Sequence, residues 1–286
     1  MDVTFHTDPT RFIAAAKPLI KADPFGHGII ATSAGLPVPA DPARPHLFAL
    51  LSSDDEPVAA VMRTHPVAPH AGYTPALPEG AVEALLAALQ QRGEVVPAWN
   101  GDLTAATSLC EGVAGGRDVE VVLHTRLFDL TTVVWPERPS GTLRQTDAGD
   151  LDLIVEWTAA FHRDAAVQGG RNPSESHEVD VESARDRIER GCYWLFEAND
   201  TPVHLTGMKP ATFGMQRIGP VYTPPEARGH GYASWVVATL SQLILDAGHR
   251  PCLYTDQANP TSNAIYQAIG YQPVHDEGEV VVPHLV

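Results

Sequence analysis

Between residues 219 and 233 the chain reads Gly-Pro-Val-Tyr-Thr-Pro-Pro-Glu-Ala-Arg-Gly-His-Gly-Tyr-Ala, and this run constrains the fold more than any other. An apolar strand ends near Val221, Pro224-Pro225 stops it, and Arg228-Gly229-His230-Gly231 leads directly into a helical pattern. A strand that enters a helix through a glycine turn leaves the first helical N–H groups unpaired at the positive end of the helix dipole. That arrangement suits phosphate, and glycine allows the backbone to approach it with no Cβ in between. Glycine turns also serve as plain connectors. The weight here comes from a second segment downstream, Thr255-Asp256-Gln257-Ala258-Asn259-Pro260-Thr261-Ser262-Asn263-Ala264-Ile265-Tyr266, followed by Gly270-Tyr271.

The two segments together resemble the GNAT superfamily of acyl-CoA-dependent N-acyltransferases. Arg228-x-x-Gly231-x-Ala233 is similar to that family's pyrophosphate signature, Q/R-x-x-G-x-G/A. Asn259, Asn263 and Tyr266 fall where the family carries its second CoA-contacting segment and its usual general acid, and Gly270-Tyr271 matches the end of that segment. The resemblance is specific over residues 190–275 and looser elsewhere. It implies acetyl-CoA as acyl donor and no metal. It also implies cofactor contacts from Val221, Tyr222 and Thr223 at the strand end, from Arg228, Gly229, His230, Gly231, Tyr232, Ala233 and Ser234 in the turn, and from Asn259 and Asn263. Tyr266 would protonate the departing thiolate.

Each residue also has a plainer reading. Arg228 can brace the loop instead of touching phosphate, and His230 and Tyr232 contribute through their backbone N–H groups. Asn259, before Pro260, can be a turn former or helix cap. Asn263 can face solvent, and Tyr266 can be a core tyrosine that buries its ring and keeps its hydroxyl wet.

The chain also repeats its own order of elements. In the second half, residues 193–196 meet a turn at Asn199-Asp200-Thr201-Pro202 before a strand resumes at residue 203. In the first half, residues 47–51 meet Asp54-Asp55-Glu56-Pro57 before residues 58–61, so Pro57 and Pro202 are equivalent. Tyr73-Thr74-Pro75 corresponds to Tyr222-Thr223-Pro224, and a helical run then a short strand follow in each half, at 80–92 and 95–99 and at 232–247 and 251–254. The first half carries Ala76-Leu77-Pro78-Glu79-Gly80 where the second has its glycine turn. Pro78 removes a donor and Glu79 adds negative charge where a pyrophosphate would sit.

The expected fold is therefore α+β, with two tandem GNAT-like domains, each a mixed, mostly antiparallel sheet flanked by helices. Residues 1–135 form a degenerate domain without a CoA site, 136–141 (Pro-Glu-Arg-Pro-Ser-Gly) a linker, and 142–286 the catalytic domain. Within the latter, helices are expected over 147–165, 181–190, 231–247 and 261–269. Strands are expected over 192–198, 203–208, 215–222 and 251–255, with two short ones at 272–275 and 279–282.

The formal net charge of −16 excludes a phosphate-tracking nucleic-acid binder, and no apolar run is long enough for a membrane span. The acidic excess accords with solubility and with a cationic acceptor, a small-molecule primary amine. Residues 1–6 lack the features of a signal peptide, and Cys110, Cys192 and Cys252 lack C-x-x-C spacing, so a cytoplasmic protein with reduced thiols, monomeric or homodimeric, is expected. The bias to Arg over Lys, with frequent Ala, Gly and Pro, is that of a GC-rich bacterial genome. The histidines show no metal-ligand spacing. A general base must deprotonate the amine, yet residues 215–222 carry no carboxylate, leaving Asp164, His162, Glu175 and His177 as candidates. A non-catalytic acyl-CoA sensor is the alternative. A P-loop nucleotide binder is disfavoured by the lack of G-K-[ST].

Overall fold

A computed structural model of the chain describes residues 1–35, 44–65, 68–173 and 179–286. The candidate bases Glu175 and His177 lie outside the described residues. The first run of elements is β1 (Asp2–His6), α1 (Pro9–Ala22), α2 (Gly28–Ser33), β2 (Leu47–Ser53), β3 (Glu56–Arg63), β4 (Gly72–Thr74), α3 (Ala81–Gln91), β5 (Ala98–Asp102), α4 (Leu103–Val113) and β6 (Glu120–Asp129). The second is β7 (Thr142–Gln145), α5 (Leu151–Gln168), α6 (Val181–Glu189), β8 (Tyr193–Ala198), β9 (Thr201–Met208), β10 (Met215–Tyr222), α7 (Tyr232–Asp246), β11 (Arg250–Asp256), α8 (Pro260–Ile269) and β12 (Gln272–Val281). Helices and strands follow one another in the same order in both runs.

The correspondence reaches single residues. The β2–β3 hairpin turns through Asp54 and Asp55, and the β8–β9 hairpin through Asn199 and Asp200, all at positive φ, the geometry that matches the twist of paired strands. Each hairpin shifts register at the same place, between Leu51 and Ser52 and between Phe196 and Glu197. Pro57 and Pro202 lie opposite the shifted residues. A proline cannot donate to a ladder, so a bulge beside a turn is where one is tolerated.

Two compact units result, residues 1–125 with 275–286, and residues 126–274. In the first, the strand order is β1-β2-β3-β4-β5-β12, antiparallel except for the parallel pair β4 and β5. Its core gathers Leu85 and Leu89 of α3, Leu109 of α4, Trp99 of β5, Val280 of β12, and Val282 just beyond it. In the second, the order is β6-β11-β10-β9-β8-β7, with only the end of β6 taking part, and β10 and β11 run parallel. One face packs Phe128, Leu130, Ile218 and Leu253 under α7 and α8. The other packs Leu195, Leu205 and Tyr222 under α5 and α6.

Three expectations need correction. The expected boundary at 135 and 142 does not coincide with this division, because Phe128 and Leu130 are already fully buried in the second unit and Leu130 N–H donates to the Pro251 carbonyl at 3.1 Å. The last two short strands are one, β12, because residues 277–281 pair continuously with Asp102 back to Ala98. The strand expected at 95–99 begins only at Ala98, since Pro97 offers no N–H and its carbonyl is taken by Val282.

Candidate active site

Strand β10 pairs with β11 over Met215, Gln216 and Arg217 only, opposite Arg250, Pro251 and Cys252. Its pairing with β9 continues to Tyr222 after a register shift between Ile218 and Val221. The two parallel strands therefore part beyond Arg217, and the side of β10 that faces β11 is left with unpaired peptide groups. Such groups demand a partner.

The gap opens into a cleft of about 440 Å³. One wall is Val221, Tyr222 and Thr223 with the turn Arg228–Ser234, and the other is Asn259, Ile265 and Tyr266. The end of α5 forms a third side through Phe161, Asp164, Ala165 and Gln168. The turn is built as its glycines demand. Gly229 has φ +83° and Gly231, the N-cap of α7, has φ +76°, a left-handed geometry costly to other residues, and open space surrounds both Cα atoms. Among the described residues no hydrogen bond engages the N–H groups of 229–234; the nearest paired amides are Arg228, to Pro225, and Trp235, to Gly231. A run of free N–H groups at a helix start is a cradle for phosphate oxygens.

The side chains divide between cleft and scaffold. Arg228 is a brace: its Nε donates to the Thr223 carbonyl at 2.9 Å and its Nη2 to the Asp164 carboxylate at 2.6 Å. Asp164, a candidate base, is thereby engaged by a guanidinium. Asn259 caps α8, its Oδ1 accepting from Ser262 N–H at 3.0 Å, and its amide donates to Gln168 Oε1 at 2.5 Å. Asn263 does not line the cleft. Its Oδ1 accepts from Thr255 at 2.5 Å, and its Nδ2 donates to the carbonyls of Asn259 and Asp256, so its whole amide ties α8 to the end of β11. His162 is exposed, beside the Phe161 ring.

Tyr266 is buried and reaches the cleft, and its hydroxyl makes no hydrogen bond among the described residues. Its ring meets Tyr271 edge-on, with centroids 6.0 Å apart. Burial pushes its pKa well above that of an ordinary phenol, so it is fully protonated near neutral pH. Tyr271 is tied off, with its hydroxyl 2.8 Å from Ser241 Oγ.

One participant escaped sequence reasoning. His204 of β9 is fully buried under α7, with Nδ1 2.7 Å from Thr223 Oγ1 and Nε2 2.7 Å from Thr206 Oγ1. Burial lowers its pKa to about 3, so it is a neutral ring bridging two hydroxyls. It fixes Thr223, where β10 enters the turn. No motif announces it, since only the register of β9 on β10 brings residues 204 and 223 together.

The equivalent place in the first unit is shut. Strand β4 stays paired with β5 to its last residue, Thr74 opposite Gly101. The Thr74 carbonyl lies where a Cβ of residue 101 would be, so the strands touch instead of parting. Gly80 caps α3 with φ +78°, like Gly231, but the Ala81 N–H is taken by the Pro78 carbonyl and Glu79 precedes it.

A family model described as FR47-like protein matches residues 211–280, from β10 to β12. No curated protein matches the chain. Among solved structures, a Drosophila protein is similar over 98% of this chain and 98% of its own, at 16% identity and a TM-score of 0.63. A GCN5-related N-acetyltransferase from Sphaerobacter thermophilus is similar over 97% and 94%, at 15% identity and a TM-score of 0.62. A tandem GNAT protein from the clavulanic acid biosynthesis pathway is similar over 98% and 97%, at 11% identity and a TM-score of 0.54. The chain has the GNAT superfamily fold, a mixed sheet with flanking helices.

Proposed function

We propose that this chain is an acyl-CoA-dependent N-acyltransferase, moving an acetyl or other short acyl group from CoA to the primary amine of a small molecule by direct transfer. The observation that carries the reading is the parting of β10 from β11 at Arg217, which ends on the unpaired N–H groups of residues 229–234. An extended chain of amides ending in a pyrophosphate matches both parts of that surface. Unpaired strand groups from Val221 to Thr223 would hold the amides, and the turn would hold the phosphates. Asn259 bounds the cleft as a helix cap, and Asn263 supports it from behind. Holding amine and acyl group together supplies much of the rate. Tyr266 would give its proton to the leaving sulfur, a role that suits a buried, protonated hydroxyl in the cleft wall.

In this reading the first run of elements is a degenerate fold-mate of the second, in a cytoplasmic tandem protein that acts as monomer or homodimer. The paired β4 and β5 support it, because no gap remains for a pantetheine arm. A second reading, a non-catalytic acyl-CoA sensor, is favoured by the absence of a carboxylate on β10 and the engagement of Asp164 by Arg228.

Calorimetric titration with acetyl-CoA should give one site per chain, and ATP should not compete at equal concentration. An assay of CoA release over a panel of primary amines then separates the readings. Turnover with any amine sinks the sensor, binding without turnover across the panel sinks the transferase, and no binding of acetyl-CoA sinks both.

A further inference from the structure

Lys209 follows the last residue of β9 and lies opposite Arg217 of β10, its N–H donating to the Arg217 carbonyl at 2.9 Å, one step beyond the Met208–Ile218 pair. Met208 and Ile218 pack under α7, so by strand alternation Lys209 and Arg217 leave the sheet on the other side, towards α6. Arg187 of α6 reaches the same side, its guanidinium 4.5 Å from the centroid of the Tyr193 ring. Like charges directly opposite on neighbouring strands destabilise a sheet, and here a third cation joins them.

The two guanidiniums meet aromatic faces, Arg187 that of Tyr193 and Arg217 that of Tyr254 at 5.8 Å from its centroid, but no anion. Among the described residues no carboxylate pairs with Lys209, Arg217 or Arg187, and Arg187 Nη2 is buried without a hydrogen-bond partner. With 35 acidic residues against 19 basic ones, carboxylates are not scarce. Burial, with repulsion from Arg217 and Arg187, lowers the Lys209 pKa to about 7, which is how a cation lacking an anion behaves. The location also matters. Arg217, opposite Cys252, is the last residue of β10 paired with β11, at the closed end of the gap.

We infer that Lys209, Arg217 and Arg187 form a binding site for an oxyanion, carboxylate or phosphate, borne by the acyl acceptor, which is therefore an amine that also carries an anionic group. The word acceptor rests on the transferase reading; the anion site does not.

Lys17, Lys21 and Lys209 are the only lysines, so labelling of the intact chain by acetic anhydride, read peptide by peptide in a mass spectrometer, reports Lys209 with two internal references. The probes are succinate and inorganic phosphate, with chloride at matched ionic strength as control. At ten times its Kd an anion leaves roughly one site in eleven free, so Lys209 labelling should fall about tenfold while Lys17 and Lys21 hold steady. Whichever probe protects identifies carboxylate or phosphate. Arg217→Gln and Arg187→Gln should each weaken the protection. Lys209 labelling that neither probe slows, or protection unchanged in both variants, overturns the inference. Because acetyl-CoA binding is measured separately, protection without CoA binding removes only the transferase reading, and CoA binding without protection removes only the anion site.

Discussion

At the scale of single residues, two buried side chains carry separate tests, Tyr266 in the cleft wall and His204 behind Thr223. Tyr266→Phe removes one hydroxyl that has no hydrogen-bond partner among the described residues and keeps the ring against Tyr271. If that hydroxyl donates the proton, turnover should fall about 10²-fold, the low end for a positioned acid. Affinity for acetyl-CoA should hold, because the lost interaction forms as the thiolate develops. Unfolding temperature should hold too. A core tyrosine would give near-normal turnover instead, so kinetics and thermal melting on one variant decide. His204 makes the opposite kind of claim. Its folded pKa is about 3 against 6.5 for a free imidazole, so as pH falls the unfolded chain takes up the proton first. The stability it contributes is complete above about pH 6.5 and drains as pH falls towards 3, at up to about 1.4 kcal/mol per unit. His204→Phe should flatten that slope in urea unfolding measured from pH 7 to pH 4. Near pH 7 it should cost about 1–3 kcal/mol for each hydroxyl, Thr206 and Thr223, left without its partner. An unchanged slope would mean that His204 does not govern acid stability.

At the scale of elements, a helix cap in one conformation serves two different tasks. Gly231 and Gly80 are both left-handed N-caps, so an L-residue at either should cost about 1–2 kcal/mol. Gly231→Glu should also abolish acetyl-CoA binding, by placing a carboxylate among the unpaired N–H groups of 229–234. Gly80→Glu should leave affinity untouched while losing similar stability. Equal affinities in the two variants, by calorimetry, would make the turn a connector only. Much at this scale was legible in the sequence. The bounds of β10 follow from its apolar run and the Pro224-Pro225 stop, and α6 lies within the helix expected over 181–190. Other elements were hidden. Helix α1 carries Pro18 in its interior, and α4 is diluted by Thr104, Thr107, Ser108 and Gly112, all weaker helix formers than Ala, so neither announces itself. The fate of Asn263 was also unreadable, because helical spacing sets it near Tyr266 but says nothing of the Thr255 hydroxyl that captures it.

At the scale of the whole molecule, the sequence points to two successive halves, and the chain does not divide that way. A repeat is visible because turns and prolines recur, but which sheet a final strand joins depends on long-range pairing that no local pattern encodes. Residues 275–286 belong with 1–125. Strand β12 pairs with β5 over residues 277–281, and Val280 and Val282 are fully buried against Trp99, Leu85 and Leu109. The Val280 carbonyl accepts from Cys110 Sγ, and the buried Glu277 accepts from the Tyr73 hydroxyl at 3.1 Å and is paired with His275 at 2.9 Å. A fragment ending at residue 135, the boundary the linker advertises, would lose all of this at once. Stripping two valines from a core costs about 1.5–3 kcal/mol each before the unpaired edge of β5 is counted, against a typical domain stability of 5–15 kcal/mol. Fragment 1–135 should therefore fail to show a cooperative melt or dispersed amide resonances. A fusion that returns residues 272–286 to its C-terminus through a flexible linker should recover both. Valine-to-aspartate changes at 280 and 282 in that fusion should abolish the recovery, which separates strand pairing with core filling from a mere gain in length. A cooperative melt in the bare fragment would show that the first unit needs no strand from the far end of the chain.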